Sequence, residues 1–98
     1  MTDRETFAQR TRDWAARLGV RVQAIAIRKM RRKWASCSTA GRLTFDESLL
    51  SKPVQLQDYV IVHELLHVSV PNHGKLWKSL MRAHLCDYET YENELKRR

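Results

Sequence analysis

The side chains best suited to chemistry in this 98-residue chain lie between positions 63 and 73. His63 and His67 are four residues apart, so on a helix they share one face, one turn above the other. Two imidazoles in that arrangement can bind one metal ion. Glu64 follows His63 directly and can hydrogen-bond a water on the metal without being a ligand itself. This is the HExxH pattern of zinc hydrolases.

A third histidine follows the pattern at a short distance. Pro71 is expected to end the helix, and the chain can then turn so that His73 reaches the metal from the opposite side. Three neutral nitrogen ligands and one open position are typical of a catalytic zinc site, whereas a structural zinc site has four protein ligands. The spacing therefore predicts one Zn²⁺ ion bound by His63, His67 and His73, with Glu64 as the catalytic residue.

The segment that carries this pattern is predicted to be a buried helix. Positions 54–62 are apolar on nearly every side, and Leu65 and Leu66 continue the run. Ser51 is the predicted N-cap, with Pro53 in the first turn. Burying two imidazoles and a carboxylate is unfavourable unless they are paired or bound to a metal. The alternative is a core helix with ordinary hydrogen-bonded histidines, which three histidines at this spacing disfavour.

Chain length and cysteine usage limit the class of protein. Ninety-eight residues predict one domain, 1–98, with a single modest core. No N-terminal apolar run resembles a signal peptide and no stretch is long enough to cross a membrane, so a cytoplasmic location is expected. Cys37 and Cys86 are 49 positions apart without a CxxC pair, which favours packed thiols over a disulfide. Cys86 is a weaker candidate for an extra metal ligand.

The net charge of +7 is concentrated near the N-terminus. Residues 1–33 contain ten Lys or Arg and three acids, whereas residues 34–98 contain eight of each. The densest run, 28–33, can attract nucleic acid, acidic protein segments or a ribosomal surface through salt-sensitive forces. The equally supported alternative is a solvated loop, because the run lacks the interleaved aromatics of single-strand binders.

Residue patterning predicts an α+β domain with helices on a small sheet. A first helix follows a capping box at Thr2 and stops at Gly19. Three strands are expected at 20–27, 34–38 and 42–45, the last two around a turn at 39–41. A brief helical segment at 46–50 leads to the metal-binding helix. Two C-terminal helices follow, one with an apolar stripe from Leu76 to His84, and one that Asp87 caps.

Three blocks of the chain resemble the small YgjP-like metal-dependent hydrolases, relatives of the SprT-like zinc metallopeptidases. The blocks span roughly residues 28–90 and are these: the basic run with Trp34-Ala35-Ser36-Cys37-Ser38 and Gly41-Arg42-Leu43; 58–67 continuing to Asn72-His73; and Leu76-Trp77 with Asp87-Tyr88. The resemblance implies zinc ligands at His63, His67 and His73 and a catalytic carboxylate at Glu64. Ala35 departs from the family, which usually has Gly after the Trp.

Two other classes of zinc peptidase share part of this pattern. The spacing from His67 to His73 equals that of metzincins, but Val70 replaces their helix-ending glycine. A gluzincin arrangement needs a glutamate from a later helix, such as Glu89 or Glu92. It ranks second because His73 is closer in the sequence.

The predicted reaction is hydrolysis of a peptide bond by a metal-activated water, with Glu64 as general base. The resemblance further implies that an edge strand at 43–45 aligns the substrate by backbone pairing. His84, Tyr88 and Lys75 are candidates for an additional oxyanion donor. Two other functions stay open. One is a nucleic-acid- or ribosome-associated module with a zinc site, which has no use for Glu64. The other is a zinc hydrolase of small amides.

Overall fold

The structure, a computed structural model, describes residues 1–70, 74–85 and 87–95. Its elements in chain order are α1 (Arg4–Leu18), β1 (Ala24–Arg28), β2 (Ala35–Cys37), β3 (Arg42–Asp46), a 3-10 helix (Glu47–Ser51), α2 (Val54–Ser69), α3 (Lys75–His84) and α4 (Tyr88–Leu95). The α+β class and this order of elements confirm the sequence prediction. No helix within the described residues has the length and apolar character that a bilayer crossing requires.

The first helix begins one residue later than its predicted cap. Asp3 is the N-cap, and its carboxylate accepts a hydrogen bond from the backbone N–H of Thr6 at 2.7 Å. The hydroxyl of Thr2 does not cap the helix and instead accepts a hydrogen bond from the side-chain amide of Gln57 at 3.2 Å. The helix ends as expected at Gly19, which has a left-handed φ of 70°.

The three strands form one sheet in the order β1-β3-β2. β1 runs parallel to β3, with Ala24 opposite Arg42, and β2 runs antiparallel to β3, with Ala35 opposite Phe45. β1 begins at Ala24 and not at position 20 as predicted. Its pairing with β3 starts at Arg42, which is the first residue of β3. Upstream of it, the N–H of Gln23 bonds to the carbonyl of Gly41 in the turn at 2.9 Å.

The central position of β3 corrects one prediction. Residues 43–45 were expected to form the edge strand that aligns substrate, but β3 has a partner strand on both sides. Leu43 and Phe45 are instead core residues, 1% and 0% exposed. Within the described residues β2 lies at an edge of the sheet and packs against α2.

Helix α2 is buried along most of its length, as its apolar sequence predicts. Its N-cap is Pro53 and not Ser51, whose hydroxyl donates to the carbonyl of Ser48 inside the preceding 3-10 helix at 3.0 Å. The helix ends at Ser69, and Val70 is its C-cap. An end at this point fits the restricted backbone of a residue that precedes proline. Pro71 and His73 lie outside the described residues.

A polar cluster joins α1 to the start of α2. Gln57 is fully buried, and its side-chain amide donates to the carbonyls of Leu49 at 2.8 Å and Lys52 at 3.1 Å. Arg10 donates to both the Gln57 and the Asp58 side chains. These bonds hold the N-terminal half of α2 in place, and the following turns therefore present the histidines in a fixed orientation.

Candidate metal and peptidase site

His63, Glu64 and His67 converge at one point on α2. One donor atom from each side chain lies within 4.8 Å of the other two, and the imidazole centroids are 4.6 Å apart. The helix positions them as the four-residue spacing predicts. Both histidines are half-buried and Glu64 is 9% exposed. The imidazoles are therefore accessible to solvent, and the carboxylate is nearly covered.

The donor set fits a divalent transition metal. Two nitrogens that bind one zinc ion at about 2.0–2.1 Å are at most about 4.2 Å apart, so donor atoms within 4.8 Å of one another need only small side-chain rotations to reach one ion. Imidazole nitrogen is a favourable ligand for zinc and for other late first-row metals. His63 and His67 can therefore share one ion, with the Glu64 carboxylate beside it.

The charge state of Glu64 suits a general base. Burial raises the pKa of Glu64, but the hydrogen bond from His63 and the nearby charges of His63 and His67 outweigh it. The net result is a pKa below the ordinary glutamate value. Nδ1 of His63 is 3.2 Å from Oε1 of Glu64. Glu64 is thus a carboxylate at neutral pH, able to accept a proton.

Trp77 of α3 forms an aromatic wall behind the two histidines. Its ring is edge-on to His63, with centroids 5.1 Å apart, and tilted relative to His67 at 6.0 Å. Trp77 is 3% exposed and contacts Tyr88 edge-on at 6.2 Å. Because its ring cannot move freely, it restricts the rotamers of both imidazoles.

Cys37 on β2 is a neighbour of Glu64 that the sequence did not identify. Its thiol hydrogen-bonds with the Glu64 carboxylate, and burial, followed by the charge of Glu64, raises the pKa of the thiol to about 11. The sequence predicted only a packed thiol. The signal that could have found it was strand alternation, which places Ala35 and Cys37 on the same face of β2, toward α2.

A pocket of about 340 Å³ opens beside His63 and Glu64. Its apolar wall consists of Trp34, Ala35, Tyr59, Val60 and Leu95. Lys33 and Glu92 contribute the remaining charged side chains. Sequence reasoning missed this pocket because it forms between β2, α2 and α4, which are distant in the chain.

The other candidate residues lie apart from the metal group. Glu89 is exposed and forms an ion pair with Arg82 at 2.8 Å. Glu92 lines the pocket. Within the described residues, neither glutamate belongs to the cluster of donor atoms formed by His63, Glu64 and His67. His84 lines a separate pocket and contacts Trp14, with ring centroids 6.2 Å apart. The predicted third ligand, His73, and Cys86 are outside the described residues.

The two remaining oxyanion candidates differ in exposure. Tyr88 is buried against Trp77, and Lys75 is exposed at the start of α3.

A buried helix that presents His-Glu-x-x-His beside an edge strand defines the class of metal-dependent hydrolases. The family model of the YgjP-like, metallopeptidase domain matches residues 2–98. The chain therefore belongs to the YgjP-like metallopeptidase family, and it is a metal-dependent peptidase.

Solved structures agree with this assignment. The chain is similar to the metallopeptidase zymogen of Methanocaldococcus jannaschii jannalysin, with 26% identity, a TM-score of 0.78, and coverage of 92% of this chain and 91% of that one. It has the fold of the metallopeptidase zymogen of Pyrococcus abyssi abylysin, with 18% identity, a TM-score of 0.74, and coverage of 91% and 90%. A search of curated proteins finds no match.

Proposed function

We propose that this protein is a zinc-dependent peptidase in which His63, His67 and His73 hold the ion and Glu64 is the general base. The observation that carries this proposal is the convergence of the His63, Glu64 and His67 donor atoms within 4.8 Å. Family membership supports a peptide or protein as the substrate. A cytoplasmic location remains an expectation from the sequence.

Zinc, when bound, supplies a Lewis acid that polarises the peptide carbonyl and acidifies water. Glu64 accepts the proton of the attacking water and delivers it to the leaving nitrogen. Glu64 is ionised at neutral pH, consistent with its lowered pKa, and can therefore accept the proton in the first of these steps. Cys37 donates to the same carboxylate and so helps to hold it in one orientation.

The outer edge of β2 is the proposed guide for the substrate backbone. Within the described residues β2 pairs only with β3, so its second edge can bond to an extended peptide. The strand lies beside α2, and Ala35 lines the pocket next to His63 and Glu64. A peptide paired there passes the metal group with its backbone already extended.

Metal analysis combined with two variants tests the assignment. Purified protein is expected to contain one zinc ion per chain and to cleave a general peptide mixture. Glu64→Gln should retain zinc and lose cleavage, because the amide cannot accept the proton. Loss of zinc with unchanged cleavage would contradict the role of Glu64.

The third ligand is tested separately with a matched pair. His73→Ala should weaken zinc binding strongly, whereas His84→Ala should not, because His84 lies in a different pocket. Equal zinc affinity of the two variants would remove His73 from the ligand set. In that case Glu92, beside His63 in the pocket, becomes the next residue to substitute.

A further inference from the structure

The pocket beside His63 and Glu64 is large enough and apolar enough to take a large apolar side chain. Five of its lining residues are apolar or aromatic, and its volume of about 340 Å³ is at the lower end of the range of about 300–1,000 Å³ for small-molecule sites. A side chain of leucine or phenylalanine fits this chemistry better than a polar or charged one. Because the pocket touches the two site residues directly, its occupant must be adjacent to the reacting bond.

The pocket lies on one side of the metal group. It is lined by the beginning of β2 and by α2 residues up to Glu64, and within the described residues neither His67 nor Cys37 contributes to it. A peptide that follows β2 from Cys37 toward Ala35 therefore passes the site residues first and the pocket next. In the same direction the chain order of the protein leads to Lys33, which lines the pocket, and then to Arg32 and Arg31.

The chain next to the pocket is strongly basic. Lys33 lines the pocket itself, and Arg31 and Arg32 precede it, all three exposed. The Cα atoms of Arg31 and Lys33 are at most about 7.6 Å apart, because consecutive Cα atoms are about 3.8 Å apart. Lys52 adds a further cation, with its ammonium 5.5 Å from the centre of the Trp34 ring.

Residues 28–33, which lead along the chain into the pocket, carry five positive charges and no negative charge. Glu92 is the acidic side chain that joins Lys33 in the pocket wall, apart from Glu64 of the site itself. In the part of the chain that is described, the ion pairs involve other residues than 28–33. An acidic segment of a bound peptide would supply the complementary charge. Such complementarity adds rate and specificity in a salt-dependent manner.

We propose that the protein cleaves peptides in which a large apolar residue next to the scissile bond enters this pocket and acidic residues follow on the same side, against Arg31, Arg32 and Lys33. This inference rests on the proposed peptidase function and adds its substrate class. Antiparallel pairing with β2 puts both features C-terminal to the scissile bond, and parallel pairing puts them N-terminal. The order, apolar residue nearest and acidic residues beyond it, is the same in both cases.

Quenched-fluorescence peptides with the zinc-loaded protein test the two parts. The peptide residue that enters the pocket is varied among Ala, Leu, Phe and Lys. Each of these peptides is made with an acidic or a neutral polar extension, placed either N-terminal or C-terminal to the scissile bond. Leu or Phe should be cleaved about tenfold or more faster than Ala. The acidic extension should add about a three- to tenfold gain in kcat/KM on one side only.

Variants and salt separate the two contributions. Arg31→Ala with Arg32→Ala should remove the acidic preference and keep the apolar one, and raising NaCl from about 50 mM to about 500 mM should do the same. Arg12→Ala with Arg21→Ala removes the same charge from exposed positions outside the pocket and should change neither preference.

Two pocket variants test the apolar part from opposite directions. Ala35→Val should narrow the pocket and shift the preference from Phe toward Ala. Leu95→Ala, at a half-buried position where folding is less at risk, should widen the pocket and improve the cleavage of Trp relative to Leu.

Each outcome decides between the alternatives. Cleavage that depends on Glu64 but ignores both the pocket residue and the acidic extension overturns the inference and leaves the peptidase function intact. Absence of any Glu64-dependent cleavage overturns both. If a labelled DNA or RNA duplex binds and loses binding in the Arg31/Arg32 variant while peptide preference is unchanged, the basic run serves nucleic acid and the acidic part of the inference is wrong.

Discussion

The indole of Trp77 stands edge-on against the imidazole of His63, with ring centroids 5.1 Å apart and an interplanar angle of 83°. This contact, together with the tilted contact to His67, fixes the orientation of two proposed ligands from α3, a different helix. The metal site therefore depends on packing between α2 and α3 as well as on the spacing within α2.

We predict that Trp77→Phe lowers zinc affinity about tenfold, the order found when residues supporting metal ligands are changed. The smaller ring leaves space into which both imidazoles can rotate. Zinc affinity is measured by competition with a chromophoric chelator. Trp14→Phe is the matched control, since Trp14 contacts Asp58 and His84 and not the metal group. Equal affinities for the two variants would mean that Trp77 serves only the core.

Gln57 offers a test of the polar cluster between α1 and α2. We predict that Gln57→Leu lowers the free energy of unfolding by about 2–3 kcal/mol, because the carbonyls of Leu49 and Lys52 and the guanidinium of Arg10 lose a buried partner. Urea unfolding followed by circular dichroism gives the value.

The matched control for this substitution is in the same helix. Gln55→Leu changes an exposed residue two positions earlier and should shift the free energy of unfolding by no more than about 0.5 kcal/mol. If the two variants lose equal stability, the hydrogen bonds of Gln57 contribute nothing specific.

Much of the fold could be predicted from local patterns in the sequence. The left-handed stop at Gly19 and the buried helix that carries His63 and His67 depend on backbone preference and apolar periodicity, which neighbouring residues reveal. The prediction of Ser51 as the N-cap of α2 was wrong because its hydroxyl donates a hydrogen bond inside the preceding 3-10 helix. Whether a serine caps a helix depends on competing partners that its own sequence position does not show.

The site could be predicted from the sequence only in part, because some of its contacts join separate elements. Spacing along one helix places His63, Glu64 and His67 together, because helical geometry is regular. The edge position of β2, the thiol of Cys37 beside Glu64 and the pocket wall at Trp34 depend on how separate elements pair and pack. Strand order in particular cannot be obtained from the sequence of each strand, so β3 was wrongly predicted as the edge.

Two glycines with positive φ are expected to respond differently to alanine. Gly19 has φ of 70°, and a Cβ added there would meet open space, so Gly19→Ala should lower the free energy of unfolding by about 1–2 kcal/mol, the general strain of the left-handed conformation. Gly41 has φ of 88°, and a Cβ there would lie 2.5 Å from the carbonyl oxygen of Arg21.

Gly41→Ala should therefore destabilise the fold by clearly more than Gly19→Ala, because the backbone between α1 and β1 must shift in addition to the strain. Parallel urea titrations of the two variants measure the difference. Equal losses would show that the turn at Gly41 relaxes without disturbing the segment that precedes β1.

The thiol of Cys37 gives a prediction with a defined pH dependence. Its pKa is raised from 9.0 to about 11, first by burial and then by the charge of Glu64, so at pH 8 the reactive thiolate fraction is roughly a hundredfold smaller than for an ordinary thiol. In the metal-free protein, alkylation of Cys37 by iodoacetamide should be slow at pH 8 and should keep accelerating up to about pH 11. Peptide mapping by mass spectrometry separates Cys37 from Cys86.

Two controls assign the cause of this slow reaction. In urea the same thiol should react at the ordinary rate, because unfolding removes both burial and the carboxylate. Glu64→Gln should speed the reaction of the folded protein only in part, since burial is the larger cause and persists in the variant. A Cys37 that reacts at pH 8 as fast in the folded protein as in urea would refute its placement against Glu64. The edge strand would then have to sit farther from α2 than the structure has it.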